Sequence, residues 1–254
     1  MYSYKCIIAY EGTRYNGWQK QGNTNNTIQG KIEEILTKML NEPVEITASG
    51  RTDAGVHALG QVFHFHLSKE IPSAKEFLSD INGYLPKDIR ILSLDACSDR
   101  FHARLNAEQK TYQYRIDTTP YGNLFVRNTT HHIATSLDIE AIRKGADYLL
   151  GTHDFKSFCS SKRMKKSSVR TIYDIQIEEN QTEQLLLVTF TGNGFLYNMV
   201  RILSGTLIEI GLGLRSPEQI PDILEGRDRS LAGHTAPAKG LFLINVSYAS
   251  SHQR

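Results

Sequence analysis

The sequence predicts an α+β fold made of two halves with the same element order. Three observations predict it: short runs of alternating apolar residues that read as strands, apolar residues at helical spacing between those runs, and the order β-α-β-β-α-β appearing once in each half. In the first half, residues 4–10 alternate as a strand, and a loop with Gly12, Gly17 and Gly22 follows. Ile28, Ile32, Ile35, Leu36 and Met39 then share one face, predicting a helix over 27–40. Residues 44–48 and 61–67 read as strands, the second with Phe63, Phe65 and Leu67 on the side opposite Val62, His64 and His66. A helix over 74–84 and a strand over 89–94 complete the half. In the second half, strands are predicted over 111–116, 172–177, 185–191 and 241–246. A helix over 138–150 carries Ile139, Ile142, Ala146 and Leu149 and ends at Gly151. Another, over 197–210, sets Val200, Leu203, Leu207 and Ile210 on one face, and a short extra helix begins at Pro217 and runs to 224. The expected architecture is two ferredoxin-like lobes, 1–105 and 106–254, forming a continuous antiparallel sheet with a central cleft.

The 254 residues are enough for a sizeable core. An apolar share of 40% and a charged share of 22% are ordinary for a soluble globular protein. No apolar run approaches the length of a membrane span. The N-terminus reads as a strand and not as a secretory leader, which points to the cytoplasm. Cys6, Cys97 and Cys159 are far apart and form no Cys-x-x-Cys pair, so they suggest neither a disulfide framework nor a zinc site. The histidines, with His64 and His66 on one strand and His131 beside His132, have no carboxylate or cysteine at ligand spacing, and no metal is expected.

A net charge of +2 leaves a polyanionic partner open, but the distribution of charge is more informative. Residues 155–173 contain no acidic residue and include Lys156, Lys162, Arg163, Lys165, Lys166 and Arg170. Such a run neutralises phosphates, and it equally fits a solvated surface loop. The sharpest local feature is residues 48–58, ASGRTDAGVHA. Gly50 and Gly55 bracket Arg51 and Asp53, which are two apart and project to one side of an extended segment. A guanidinium beside the carboxylate would keep it ionised and oriented, as a nucleophile or base requires. A turn with an incidental ion pair has the same pattern. Around Phe101-His102-Ala103-Arg104 and Lys110-Thr111-Tyr112-Gln113-Tyr114-Arg115, cations alternate with aromatic rings, which suits phosphates and unstacked bases, or else a strand with tyrosines in the core. Arg201 follows Gly192-Asn193-Gly194 in the first turns of a helix, where an anion is favoured.

These blocks, together with Tyr10-Glu11-Gly12-Thr13, Gly17-Trp18-Gln19, Thr27-Ile28-Gln29, residues 169–173 (VRTIY) and residues 232–243 (AGHTAPAKGLFL), resemble the tRNA pseudouridine synthase A (TruA) family in order and over nearly the whole chain. The resemblance implies an isomerase that converts uridine to pseudouridine in the tRNA anticodon stem-loop, at tRNA positions 38, 39 and 40, as a homodimer without metal or cofactor. It matches the family's catalytic Asp to Asp53 and active-site arginines to Arg51 and Arg201. It also matches the base-stacking Tyr to Tyr112 and a pocket-lining apolar residue to Leu241. The Phe101, His102, Ala103 and Arg104 block and the basic segment with Lys165, Lys166 and Arg170 correspond to tRNA contacts. Leu105 stands where the family often has Phe, which bears on local packing. Whether Asp53 attacks sugar or base, or removes a sugar proton, stays open at this level. A non-catalytic RNA-binding protein on the same fold would keep the cations and rings without needing Asp53. A carboxylate-dependent hydrolase of small substrates would not need the basic segment.

Overall fold

The alternation at the N-terminus becomes β1 (Tyr2–Tyr10), in which Tyr4, Cys6, Ile8 and Tyr10 are buried and Lys5, Ile7 and Ala9 are half-buried. The structure is a computed structural model that describes residues 1–161 and 167–249. It is α+β and divides into two units: Met1–Gln109 with the chain from Phe242 onward, and Lys110–Leu241.

In the first unit β1 is followed by α1 (Ile28–Leu40), β2 (Thr47–Ala48), β3 (His57–Leu67), α2 (Ala74–Tyr84) and β4 (Ile89–Cys97). Strand β1 pairs antiparallel with both β4 and β3, and β2 pairs antiparallel with β3 through Thr47↔His64 and Ala48↔Phe63. Helix α1 starts where Thr27 caps it by accepting the Gly30 amide at 3.2 Å, and it stops at Asn41, whose left-handed φ of 52° breaks the helical path. Ile28, Ile32 and Leu36 are fully enclosed, as the spacing predicts. The predicted strand over 44–48 shortens to two residues. The Val44 amide is taken by Thr37 Oγ1 (3.1 Å) and the Ile46 amide by Glu33 Oε1 (3.0 Å), so α1 side chains occupy donors that a strand would use.

The second unit runs through β5 (Ala107–Asp117), β6 (His131–His132), α3 (Ile139–Asp147), β7 (Gly151–Asp154), β8 (Val169–Asn180), β9 (Leu185–Gly192), α4 (Met199–Gly211), α5 (Gln219–Gly226) and into β10 (Leu241–Tyr248). Antiparallel pairing links β5 to β9, β9 to β8 and β8 to β7, and β6 lies parallel to β5. From Phe242, β10 belongs to the first unit, where Phe242↔His57 and Leu243↔Ala58 pair it parallel with β3. Helix α3, capped by Asp138, ends three residues earlier than predicted, and Gly151 (φ 94°) begins β7 instead of closing the helix.

Helix α4 departs most from the sequence expectation. It is apolar on nearly every side, and only Arg201 and Glu209 of its thirteen residues are not buried. Ser204 and Thr206 are accommodated because their hydroxyls donate back to Val200 O and Ile202 O, each at 2.8 Å. The segment 232–237 lies directly on this helix. A methyl group at Gly205 would stand 2.0 Å from the His234 carbonyl oxygen. By contrast, a methyl group at Gly83 in α2 meets nothing within 4 Å. Gly83→Ala should therefore raise the melting temperature by a few degrees, on the order of 0.5–1 kcal/mol. Gly205→Ala should lower it despite the same gain in helix propensity, because overpacking costs about 1–3 kcal/mol. Thermal unfolding of the two variants checks this; a stabilised Gly205→Ala would contradict the close approach.

Candidate active site

Between β2 and β3 the chain from Ser49 to Val56 is tied to the core through its backbone and its inward side chains. Ser49 donates through Oγ to Gln61 Oε1 (2.6 Å) and through its amide to Val62 O (2.8 Å), and Gln61 Nε2 reaches Gly50 O (3.1 Å). Thr52 is buried, with its hydroxyl 2.7 Å from Tyr10 OH and its carbonyl accepting the Trp18 amide at 3.0 Å. Burial pushes the Tyr10 phenol well up, only partly offset by hydrogen bonds to Thr52 and Gln61, so it stays protonated. The Val56 amide closes a turn onto Asp53 O (3.1 Å) around Gly55, whose φ is 78°. Next in sequence, His57 is fully enclosed: its Nδ1 accepts the Gly12 amide (3.1 Å), and its ring stacks on Phe242 at 4.6 Å.

Thr52 is enclosed, and its neighbours are less so: Arg51 is exposed and Asp53 half-buried. The Arg51 guanidinium has a partner that sequence spacing does not suggest. Its Nε donates to Gln19 Oε1 (3.2 Å), so Gln19 sets its orientation. Gln19 in turn donates to Gln29 Oε1 (2.7 Å), Gln29 to Glu33 Oε1 (2.9 Å), and Lys20 Nζ to Glu33 Oε2 (2.8 Å). Glu33 is only 6% exposed, so this polar chain has a fixed inner end and delivers a held arginine to the surface. Gln19 and Gln29 had no assigned role in the sequence reading. Their signal was present in the Gly17-Trp18-Gln19 and Thr27-Ile28-Gln29 blocks, but a shared contact between them is visible only in three dimensions.

The Phe101–Arg104 turn, also in the first unit, separates into anchors and exposed groups. Phe101 and Ala103 are buried; Phe101 packs on Tyr248 (5.1 Å), and Tyr248 OH donates to Ala103 O (2.8 Å). The Ala103 amide donates to His64 Nδ1 (3.2 Å), and His102 Nδ1 accepts the Arg104 and Leu105 amides. Arg104 is exposed, and Leu105 is 76% exposed, so the departure at that position removes no core contact.

In the second unit Tyr112 lies on β5 opposite Phe190, 9% exposed, with Phe195 edge-on at 5.3 Å. Tyr114, two residues on, is fully buried and donates to Pro237 O (2.9 Å). Arg201 is the third residue of α4, and its Nε donates to Ala236 O (2.8 Å). The segment over 232–237 explains that contact. Gly233 N donates to Thr206 Oγ1, His234 N to Glu209 Oε1 and Ala236 N to Arg201 O, so the strap is pinned along the helix from Arg201 to Glu209. Burial pushes the Glu209 carboxyl up, but hydrogen bonds from Arg215 and His234 outweigh it and hold the group below the usual carboxylate range. Leu241 is buried at the start of β10. Arg170 on β8 folds back onto the carbonyls of Ser167 (2.9 Å) and Val169 (2.6 Å). The basic run of 155–173 begins in the core, where Phe155 and Phe158 are fully buried and Ser157 Oγ donates to Ile223 O (2.6 Å). Lys165 and Lys166 lie outside the described residues. Among the described residues no cluster of three or more His, Cys, Asp or Glu is arranged to hold a metal ion, and no helix is long and apolar enough to cross a membrane.

Comparison with known proteins covers both units. A family model described as tRNA pseudouridine synthase matches residues 6–106 and 146–249. A tRNA pseudouridine synthase A from Bacillus sp. (strain KSM-64) is 48% identical over 248 residues, covering 98% of this chain and 100% of its own. One from Brevibacillus brevis is 44% identical over 245 residues, covering 96% and 98%, and a tRNA pseudouridine synthase A 2 from Bacillus cereus is 42% identical over 248 residues, covering 98% and 100%.

The anchoring of Ala103 generates a pH prediction. Burial, and then the nearby His102 and His66, push the His64 imidazole down to about 4. The folded state therefore favours neutral His64, and its contribution is fully present above the unfolded pKa near ~6.5 and is lost as pH falls towards 4. His64→Asn, which keeps an acceptor for the Ala103 amide but does not titrate, should lose less thermal stability than the parent between pH 6.5 and 4. Equal pH slopes for the two proteins would show that His64 is not buried as described.

Proposed function

The chain belongs to the tRNA pseudouridine synthase family, and on that premise we propose that it isomerises uridine to pseudouridine in the tRNA anticodon stem-loop, at tRNA positions 38, 39 and 40, with Asp53 as the catalytic nucleophile. The reaction breaks the N1–C1′ bond, turns the uracil and forms a C5–C1′ bond; the product is an isomer, so atoms and electrons balance within the substrate. Extruding the base costs a few kcal/mol, which stacking on Tyr112 partly returns, at about 1–3 kcal/mol per base. Arg51 and Arg201 supply positive charge to the reaction, and Leu241 supplies an apolar contact.

Affinity for tRNA comes from contacts to its phosphates. Arg104 and His102 meet the backbone while Phe101 and Ala103 anchor their turn, and Lys165, Lys166 and Arg170 add further phosphate contacts. The order β-α-β-β-α-β, with β1 between β4 and β3 and β2 beside β3, supports a ferredoxin-like reading of the first lobe. The lobe over 1–105 carries Asp53, and that over 106–254 carries the RNA-binding segment. The enzyme works in the cytoplasm as a homodimer.

The observation that carries the reading is the setting of Asp53. Its segment is tied to the core by main chain and inward side chains, while Asp53 itself stays half-buried and Arg51 two residues before it is exposed. The test is conversion of uridine-labelled tRNA to pseudouridine by the purified protein, with substitutions of single uridines in the anticodon stem-loop to map the position. Asp53→Asn should abolish turnover and leave the tRNA dissociation constant nearly unchanged. Substantial conversion by the pure variant would overturn the assignment of Asp53, and no conversion by the parent protein would favour a non-catalytic RNA-binding role.

A further inference from the structure

Asn198, at the N-terminus of α4, stands in a conformation and makes contacts that helix formation does not explain. Its φ of 61° and ψ of 5° are left-handed, where a side chain is disfavoured and glycine is at ease. Asparagine at this position ordinarily caps the helix with its side chain, as Thr27, Ser73 and Asp138 cap α1, α2 and α3 from extended conformations. Asn198 makes no such cap. Its Oδ1 instead accepts from Arg201 Nη1 at 3.0 Å, and its Nδ2 donates to Ser160 Oγ at 3.1 Å. Arg201 is also held by Ala236 O on its Nε, so the two contacts act on different nitrogens and fix both the place and the plane of the fork. A glycine would serve the backbone better, and an extended asparagine would serve the helix better. The residue present satisfies neither need best, and what it does provide is an oriented acceptor for Arg201.

We propose that Asn198 is a positioning residue for Arg201: it gives up the helix cap to orient the guanidinium, and the Ser160 hydroxyl fixes which way its amide faces. The inference rests on the reading that Arg201 acts in the reaction. Its consequence falls on the rate of the chemical step and not on tRNA affinity, because it concerns the aim of one charged group.

The test compares Asn198→Gly, Asn198→Asp, Ser160→Ala and Arg201→Ala by melting temperature, tRNA dissociation constant and single-turnover rate of pseudouridine formation. Asn198→Gly retains the left-handed backbone and should melt no lower than the parent. It should bind tRNA as the parent does and react about tenfold or more slowly. Asn198→Asp keeps the Oδ1 acceptor and should recover most of that rate. Ser160→Ala leaves α4 unaltered and should show the same pattern more weakly. A parental rate in Asn198→Gly beside an inactive Arg201→Ala overturns the positioning role alone, as does an Asn198→Asp no faster than Asn198→Gly. A fully active Arg201→Ala overturns both this role and the assignment of Arg201 to the reaction.

Discussion

The approach of two stretches of main chain at Gly12 and Gly17 is the constraint on which the carboxylate site depends. A methyl group at Gly12 would stand 1.9 Å from Val56 O, and one at Gly17, where φ is already 85°, would stand 2.7 Å from Thr52 O. Only glycine lets the loop after β1 close onto the segment before β3. That closure brings Trp18 N to Thr52 O, Gly12 N to His57 Nδ1 and Tyr10 OH to Thr52 Oγ1, so the residues on both sides of Asp53 are bonded into the core. An aspartate on an ordinary exposed loop would sample many orientations. Here residues on both sides of Asp53 are bonded into the core, which limits the orientations open to its half-buried carboxylate.

The second unit uses the same device for a cation. Glycines at 205 and 233 let the strap over 232–237 lie on α4: a methyl group at Gly233 would stand 2.7 Å from the Thr206 Cα. The strap then gives Arg201 a carbonyl partner and anchors to it in return through the Ala236 amide. The sequence blocks that look most like recognition motifs are thus largely main-chain packing motifs. Each leaves one or two side chains less buried and commits the rest to holding the backbone in place.

How much of this was legible in the sequence follows from which forces were local. The bounds of α2 and the starts of α1 and α3 were readable to within a residue because apolar spacing acts within a few positions. The loss of strand over 44–46 was not, because it results from Thr37 and Glu33 taking amides from a different element. All-round burial of α4 was obscured by Ser204 and Thr206, which look polar but satisfy themselves on the helix backbone. Asp53 and Arg51 stood out because their segment is compact in sequence. Gln19 was not legible as a partner of Arg51 for the opposite reason: it is more than thirty residues away and is itself held by Gln29. Asn198 gave no sign of its left-handed backbone, since nothing local to the sequence forces it.

Native-state amide hydrogen exchange tests, without altering the protein, whether the Asp53 segment is rigid because it belongs to the core. The Trp18 amide, bonded to Thr52 O, and the Val56 amide, bonded to Asp53 O, report on the two ends of the closure. Both should exchange only through the same global opening that exposes the amides of β1 and β3, with protection close to the full stability of the protein. Exchange of these two amides through a local opening, well ahead of the flanking strands, would contradict it.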